Sequence, residues 1–179
     1  MWTPNVRRHI SIRVWNLSIA ASWHSNDRSE SGSQWITSRA WSRISAIVSI
    51  EISADWSSIN DIYEAVIPRV RSEIRGITLL GGHSSHSYIN GTNMYFNYFY
   101  DIDCAPELEN DEYYFPIIDI ICEETLRFGG SIVHHHGIGK ARAKWVREEY
   151  GSSFPMLETL KRSFDPNGVM NMGTIIPLP

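Results

Sequence analysis

Two cysteines in 179 residues, Cys104 and Cys122, are too few for a disulfide framework or a structural zinc site. Long apolar runs are absent as well, and no stretch approaches the roughly 18 to 20 residues that span a bilayer. The opening residues, MWTPNVRRHISIRVW, hold no clean apolar core for a secretory signal. Basic excess is also missing. A formal net charge of −4 gives no electrostatic reason to expect nucleic acid as a partner. The expected compartment is therefore the cytoplasm. Hydrophobic residues at 42% and charged residues at 20% suit a globular chain with one core, or one domain and an appendage.

The charge is unevenly spread. Residues 1–47 carry a net +4, five of the seven tryptophans and ten serines, without helical or strand periodicity. The run DRSESGSQ, Asp27 to Gln34, reads as a flexible break. Residues 1–46 are therefore expected to form an atypical, weakly packed segment. Residues 48–179 carry the opposite balance, a net −8.

From Ala46 the pattern becomes legible. AIVSIEIS alternates Val48, Ile50 and Ile52 with Ser49, Glu51 and Ser53, the period of a half-buried strand. Ile59, Ile62, Val66 and Val70 recur at helical spacing after the N-cap candidates Ser57 and Ser58. Ile77 to Leu80 reads as a short strand, and Asn90-Gly91 as a hairpin turn. Asn93 to Tyr100, NMYFNYFY, reads as another strand, Ile117 to Phe128 as a helix, and Ser131 to His134 as a last strand. That order predicts an α+β fold over residues 47–136. It is the ferredoxin-like split βαβ arrangement, a four-stranded antiparallel sheet with both helices on one face. Residues 137–179 follow as a short C-terminal helical segment and tail. The pleat puts Met94, Phe96, Tyr98 and Tyr100 on the helix side. Asn93, Tyr95, Asn97 and Glu51 fall on a free polar side, suited to cover a polar ligand.

The run GGSIVHHHGIGK, Gly129 to Lys140, is the densest chemistry in the chain. A buried imidazole must find partners for both ring nitrogens, so a core rarely accepts three in a row. A binding site can use them as acid, base, donor or ligand. Gly137 and Gly139 let backbone or cofactor approach where a Cβ would block it.

These residues resemble the C-terminal region of the FAD-linked oxidases of the vanillyl-alcohol oxidase and p-cresol methylhydroxylase superfamily. The resemblance rests on GGSIVHHHGIGK, Trp145, the later FDPNGVMN from Phe164 to Asn171, and GGHSSHSYINGTNMYFNYFY from Gly81 to Tyr100. It covers about Val48 to Gly173. The triple histidine is most similar to alkyl-dihydroxyacetonephosphate synthases of ether-lipid biosynthesis, where an acyl chain is exchanged for a fatty alcohol without net redox change. The resemblance implies Tyr95, His134, His135 and His136 as catalytic residues. It implies His136, Gly137, Gly139 and Lys140 beside the FAD, and His83, His86 and Asn97 toward substrate. It also implies a partner domain or subunit that binds most of the FAD. Residues 1–47 resemble no such domain, so the chain taken alone is expected to be inactive.

The substrate implied is small or lipid-like, which would allow peripheral membrane contact. Two alternatives stand beside this reading. One is a fragment of a glycolate or D-lactate dehydrogenase, against which His135 stands where that branch has Glu. The other is a non-catalytic binding module. In the dehydrogenase branch histidines and a glutamate hold a metal. His83 is similar to the first histidine of its Gly-His-x-Gly-Asp-Gly-Asn motif, but Gly-Asp-Gly-Asn is missing here, so no metal is expected.

Overall fold

The computed structural model describes residues 45–176, with side chains from Val48 onward. The expectation of weak packing over residues 1–46 lies outside the described residues, except that the backbone of Ser45 and Ala46 opens the first strand. The elements are β1 (Ser45–Asp55), α1 (Ile59–Glu73), β2 (Ile77–His83), β3 (Gly91–Asp101), α2 (Phe115–Arg127), α3 (Val146–Tyr150) and α4 (Phe154–Phe164). The fold is α+β. Its sheet is antiparallel and three-stranded, in the order β1-β3-β2.

The alternation in β1 and β3 sets the layers. Ile50 pairs with Phe96 in register, and both are buried, at 2% and 0% exposed. Tyr98, Tyr100 and Ile52 join them, and α1 and α2 cover that side with Ile62, Val66, Ile117 and Ile121. Each fully buried side chain of this kind contributes roughly 1.5–3 kcal/mol, so a one-residue slip that turned this row outward would cost most of the core. The opposite face carries the polar set. Glu51, Tyr95 and His83 lie opposite one another across β1, β3 and β2, forming one row.

A fourth strand at Ser131–His134 does not form. A single antiparallel bridge joins Ser131 to Ser53 at the free edge of β1, through Ser53 N–H to Ser131 O at 3.0 Å and Ser131 N–H to Ser53 O at 2.7 Å. Beyond that bridge, side chains replace the ladder. Glu149 accepts the Ile132 N–H at 3.0 Å, and the buried Arg142 donates to the Ile132 carbonyl at 2.8 Å. The chain reaches β1 closely because residue 130 is glycine. A Cβ there would meet the Ser53 carbonyl oxygen at 3.0 Å and the Thr125 methyl at 2.9 Å. The C-terminal helical segment thus does structural work for the sheet edge: it supplies the partners that a strand would have supplied.

Candidate functional site

The polar face of the sheet is built around Glu51. Its place in the alternation points it away from Ile50 and Ile52, and the segment Val133 to His136 and the β2–β3 connection close over it. The result is a carboxylate with no exposed surface. Burial alone would raise its pKa. Donation from the Asn93 side chain at 2.8 Å, from the His135 backbone N–H at 3.1 Å and from the His134 ring outweighs that, and the carboxyl sits at about 2. Asn93, also fully buried, spends its other end on the loop: its Oδ1 accepts the backbone N–H groups of Ser85 at 3.1 Å and His86 at 3.0 Å.

The histidines and tyrosines assemble on this base. His134 Nδ1 and His135 Nδ1 stand 2.9 and 2.8 Å from the same Glu51 oxygen, and His136 Nδ1 is 4.0 Å from the other. On the far side of the rings, Tyr88 Oη is 2.7 Å from His134 Nε2, and Tyr95 Oη is 3.2 Å from His135 Nε2. Tyr95 also stacks on His83 with ring centroids 4.8 Å apart and contacts the edge of His136 at 5.6 Å. Asn97 Nδ2 reaches His83 Nδ1 at 2.9 Å. So Tyr95, His83, His86, Asn97 and His134 to His136, drawn from three stretches of sequence, form one surface.

Gly137, Gly139 and Lys140 lie at its exposed rim. Both glycines have φ in the left-handed region, +76° and +59°, and a Cβ on either would meet nothing within 4 Å. Among the described residues, the backbone N–H groups of Gly137 to Lys140 make no internal hydrogen bond. Open N–H groups beside a polar, aromatic surface suit a planar ligand with hydrogen-bonding edges and anionic oxygens, and the flavin of FAD is such a group. The cysteines take no part: burial pushes the Cys122 thiol up to about 12, which makes it a small core side chain rather than a nucleophile.

Three members were not singled out as site residues from sequence. Glu51 and Asn93 were assigned to the polar side by alternation, but nothing local marked them as buried. Tyr88, two residues before the Asn90-Gly91 turn, carries no signal. Its position depends on Trp56, whose Nε1 donates to the Tyr88 carbonyl at 3.0 Å.

Residues 22–175 match the family described as FAD linked oxidases, C-terminal domain. The chain belongs to this family. FAD is the family's cofactor, and the matched domain is its C-terminal part, which implies an FAD-binding partner domain. An uncharacterized FAD-linked oxidoreductase, YgcU, of Escherichia coli K12 is 60% identical over 132 residues, 72% of this chain and 27% of that protein. Alkyldihydroxyacetonephosphate synthase of Dictyostelium discoideum is 30% identical over 98 residues, 53% of this chain and 15% of that protein. D-2-hydroxyglutarate dehydrogenase of Pseudomonas putida is 40% identical over 60 residues, 34% of this chain and 6% of that protein. The chain thus spans about a quarter of the length of the first of these relatives. Among the described residues, no helix is long and apolar enough to cross a membrane.

Proposed function

We propose that this chain is the substrate-covering part of an FAD-dependent active site, with the polar face of the sheet turned toward the flavin. The observation that carries the reading is the Tyr95 hydroxyl, half-buried, 3.2 Å from His135 Nε2 and beside the exposed His136 ring. A phenol held against an imidazole can pass a proton to or from a substrate and return it to the ring, which needs that spacing and little movement. FAD, when bound, supplies the electron-accepting centre. His136, Gly137, Gly139 and Lys140 would contact it through an imidazole, open backbone N–H groups and a cation. His83, His86 and Asn97 would orient an oxygenated substrate, and His134 to His136 would donate to charge that builds on it. The exchange of an acyl for an alkyl chain at a dihydroxyacetone-phosphate skeleton is the reaction this reading favours. His135 supplies an imidazole where the hydroxy-acid branch has a carboxylate.

The test uses the whole FAD-bound protein, assayed with acyl-dihydroxyacetone phosphate plus a fatty alcohol and, separately, with D-2-hydroxy acids. Tyr95→Phe keeps the ring and removes the hydroxyl, so the flavin spectrum should stay unchanged while turnover falls about 10²- to 10⁴-fold. His136→Ala should lower it as well. Near-wild-type turnover in both variants would remove these residues from the chemistry. Turnover with the hydroxy acids alone would move the reaction to the dehydrogenase class.

A further inference from the structure

Tyr88 is joined to the site through His134, yet the role given to Tyr95 leaves it without a task. We propose that Tyr88 is the solvent end of a proton relay, which runs from Tyr95 through His135 and His134 to a separate cleft. The relay rests on the reading of Tyr95 given above. Within that reading it gives His134 and His135 the work of carrying the proton, and leaves the exposed His136 to meet substrate.

Each link has hydrogen-bond length. Tyr95 Oη lies 3.2 Å from His135 Nε2, the Nδ1 atoms of His135 and His134 are 3.0 Å apart, and His134 Nε2 lies 2.7 Å from Tyr88 Oη. A neutral imidazole carries one hydrogen, on one of its two nitrogens. For every link to hold one hydrogen, the two rings must carry theirs on opposite nitrogens. With His135 protonated at Nδ1 and His134 at Nε2, Tyr95 donates to His135, His135 to His134, and His134 to Tyr88. When Tyr95 takes a proton from substrate, its own hydrogen moves to His135 Nε2. The Nδ1 hydrogen of His135 then moves to His134 Nδ1, the Nε2 hydrogen of His134 moves to Tyr88, and the Tyr88 hydrogen leaves to water. Each residue gains one hydrogen and loses one, so the relay keeps no charge and the two rings exchange tautomers. The reverse shift brings a proton back, which lets Tyr95 act as base and then as acid.

Glu51 suits both states. Its Oε1 is 2.9 Å from His134 Nδ1 and 2.8 Å from His135 Nδ1, so it accepts from whichever ring carries the Nδ1 hydrogen. With its pKa at about 2 it stays a carboxylate at neutral pH and does not capture the proton in transit. The far end opens on a cleft of about 260 Å³. Tyr88 and His134 line it with Ser53, Asn90, Thr92 and Ser131, whereas Tyr95, His135 and His136 are not among its walls. Such a cleft is polar and roomy enough for several waters. Among the described residues His134 is the only hydrogen-bond partner of Tyr88 Oη, which leaves the Tyr88 hydroxyl hydrogen free for one of them. The backbone of Tyr88 is fixed at both ends: Trp56 Nε1 donates to its carbonyl at 3.0 Å, and its N–H donates to the Gly91 carbonyl at 2.8 Å. A flavin and substrate laid against Tyr95 would shut water out there, and this cleft would remain as the way for the proton.

Two measurements test the relay. The first needs no turnover: nitrogen NMR of the chain labelled with ¹⁵N at histidine, at neutral pH. His134 and His135 should both be neutral, one with its hydrogen on Nδ1 and the other on Nε2. The same tautomer in both rings, or an imidazolium in either, would overturn the relay. The second compares Tyr88→Phe with Tyr95→Phe in the whole FAD-bound protein, on whichever of the two substrate classes it turns over. Tyr88→Phe keeps the ring and both backbone anchors. It should lower kcat about 10²-fold with KM and the flavin spectrum unchanged, and imidazole added to the buffer should restore the rate by carrying the proton in its place. Wild-type kcat in Tyr88→Phe beside a slow Tyr95→Phe would overturn the relay and leave the reading of Tyr95 standing, whereas wild-type rates in both would remove the two together. A rise in KM alone, or a loss of rate that imidazole does not restore, would make Tyr88 a binding or structural residue and also overturn the relay.

Discussion

At the scale of single residues, Glu51 links stability to the site. A carboxylate without exposed surface persists only because donors surround it, and the same donors are the groups proposed to do chemistry. Its pKa of about 2 lies below the usual 4.5. Its contribution to stability is therefore complete above about pH 4.5 and is lost as pH falls through about 2, on the order of 2–3 kcal/mol in all. Glu73, held low by Arg69, and Asp165, held low by Lys161, are shifted in the same direction and also contribute to acid sensitivity. The readout is thus a difference between proteins. Urea unfolding from pH 6 down to pH 2 should show a shallower acid loss for Glu51→Gln than for wild type. Parallel pH profiles would mean that the carboxylate is not held in its charged form by the fold.

At the scale of elements, the segment after Gly130 is held by side chains where a fourth strand was expected. Glu149→Ala removes the acceptor of the Ile132 N–H and the partner of the Ser131 hydroxyl, which sits 2.5 Å from it. The expected cost is about 1–3 kcal/mol in urea unfolding, with faster amide exchange at Ile132. Wild-type stability and exchange would mean that strand pairing, rather than Glu149, holds this edge. The strands β1 and β3 and the helices α1 and α2 were legible in the sequence because alternation and helical spacing are local signals. So was the side of the sheet that each residue faces. The replacement of the fourth strand was not legible, since Ser131 to Val133 has a strand's composition and its partners Arg142 and Glu149 lie on a later segment. The centre of the site was hidden for a related reason. Tyr95 and the histidines stand out by residue type, whereas the role of Glu51 appears only when a segment more than 80 residues away folds over it.

At the scale of the whole molecule, the sheet has two unlike faces, and the account turns on the polar one. The helix side is sealed by Ile50, Phe96, Tyr98 and the helices above them. The other side presents Tyr95, His83, His135 and His136 with partly or fully exposed rings, over a base fixed by Glu51 and Asn93. FAD, the cofactor of the family, is the ligand proposed to cover this surface. The most direct test is a crystal structure of the complete protein with FAD bound. The account predicts that the Tyr95 hydroxyl and the His136 ring lie within about 4 Å of the flavin ring or of a substrate analogue stacked on it. A structure in which that ring system meets another surface, with Tyr95 and His136 still facing solvent, would contradict it.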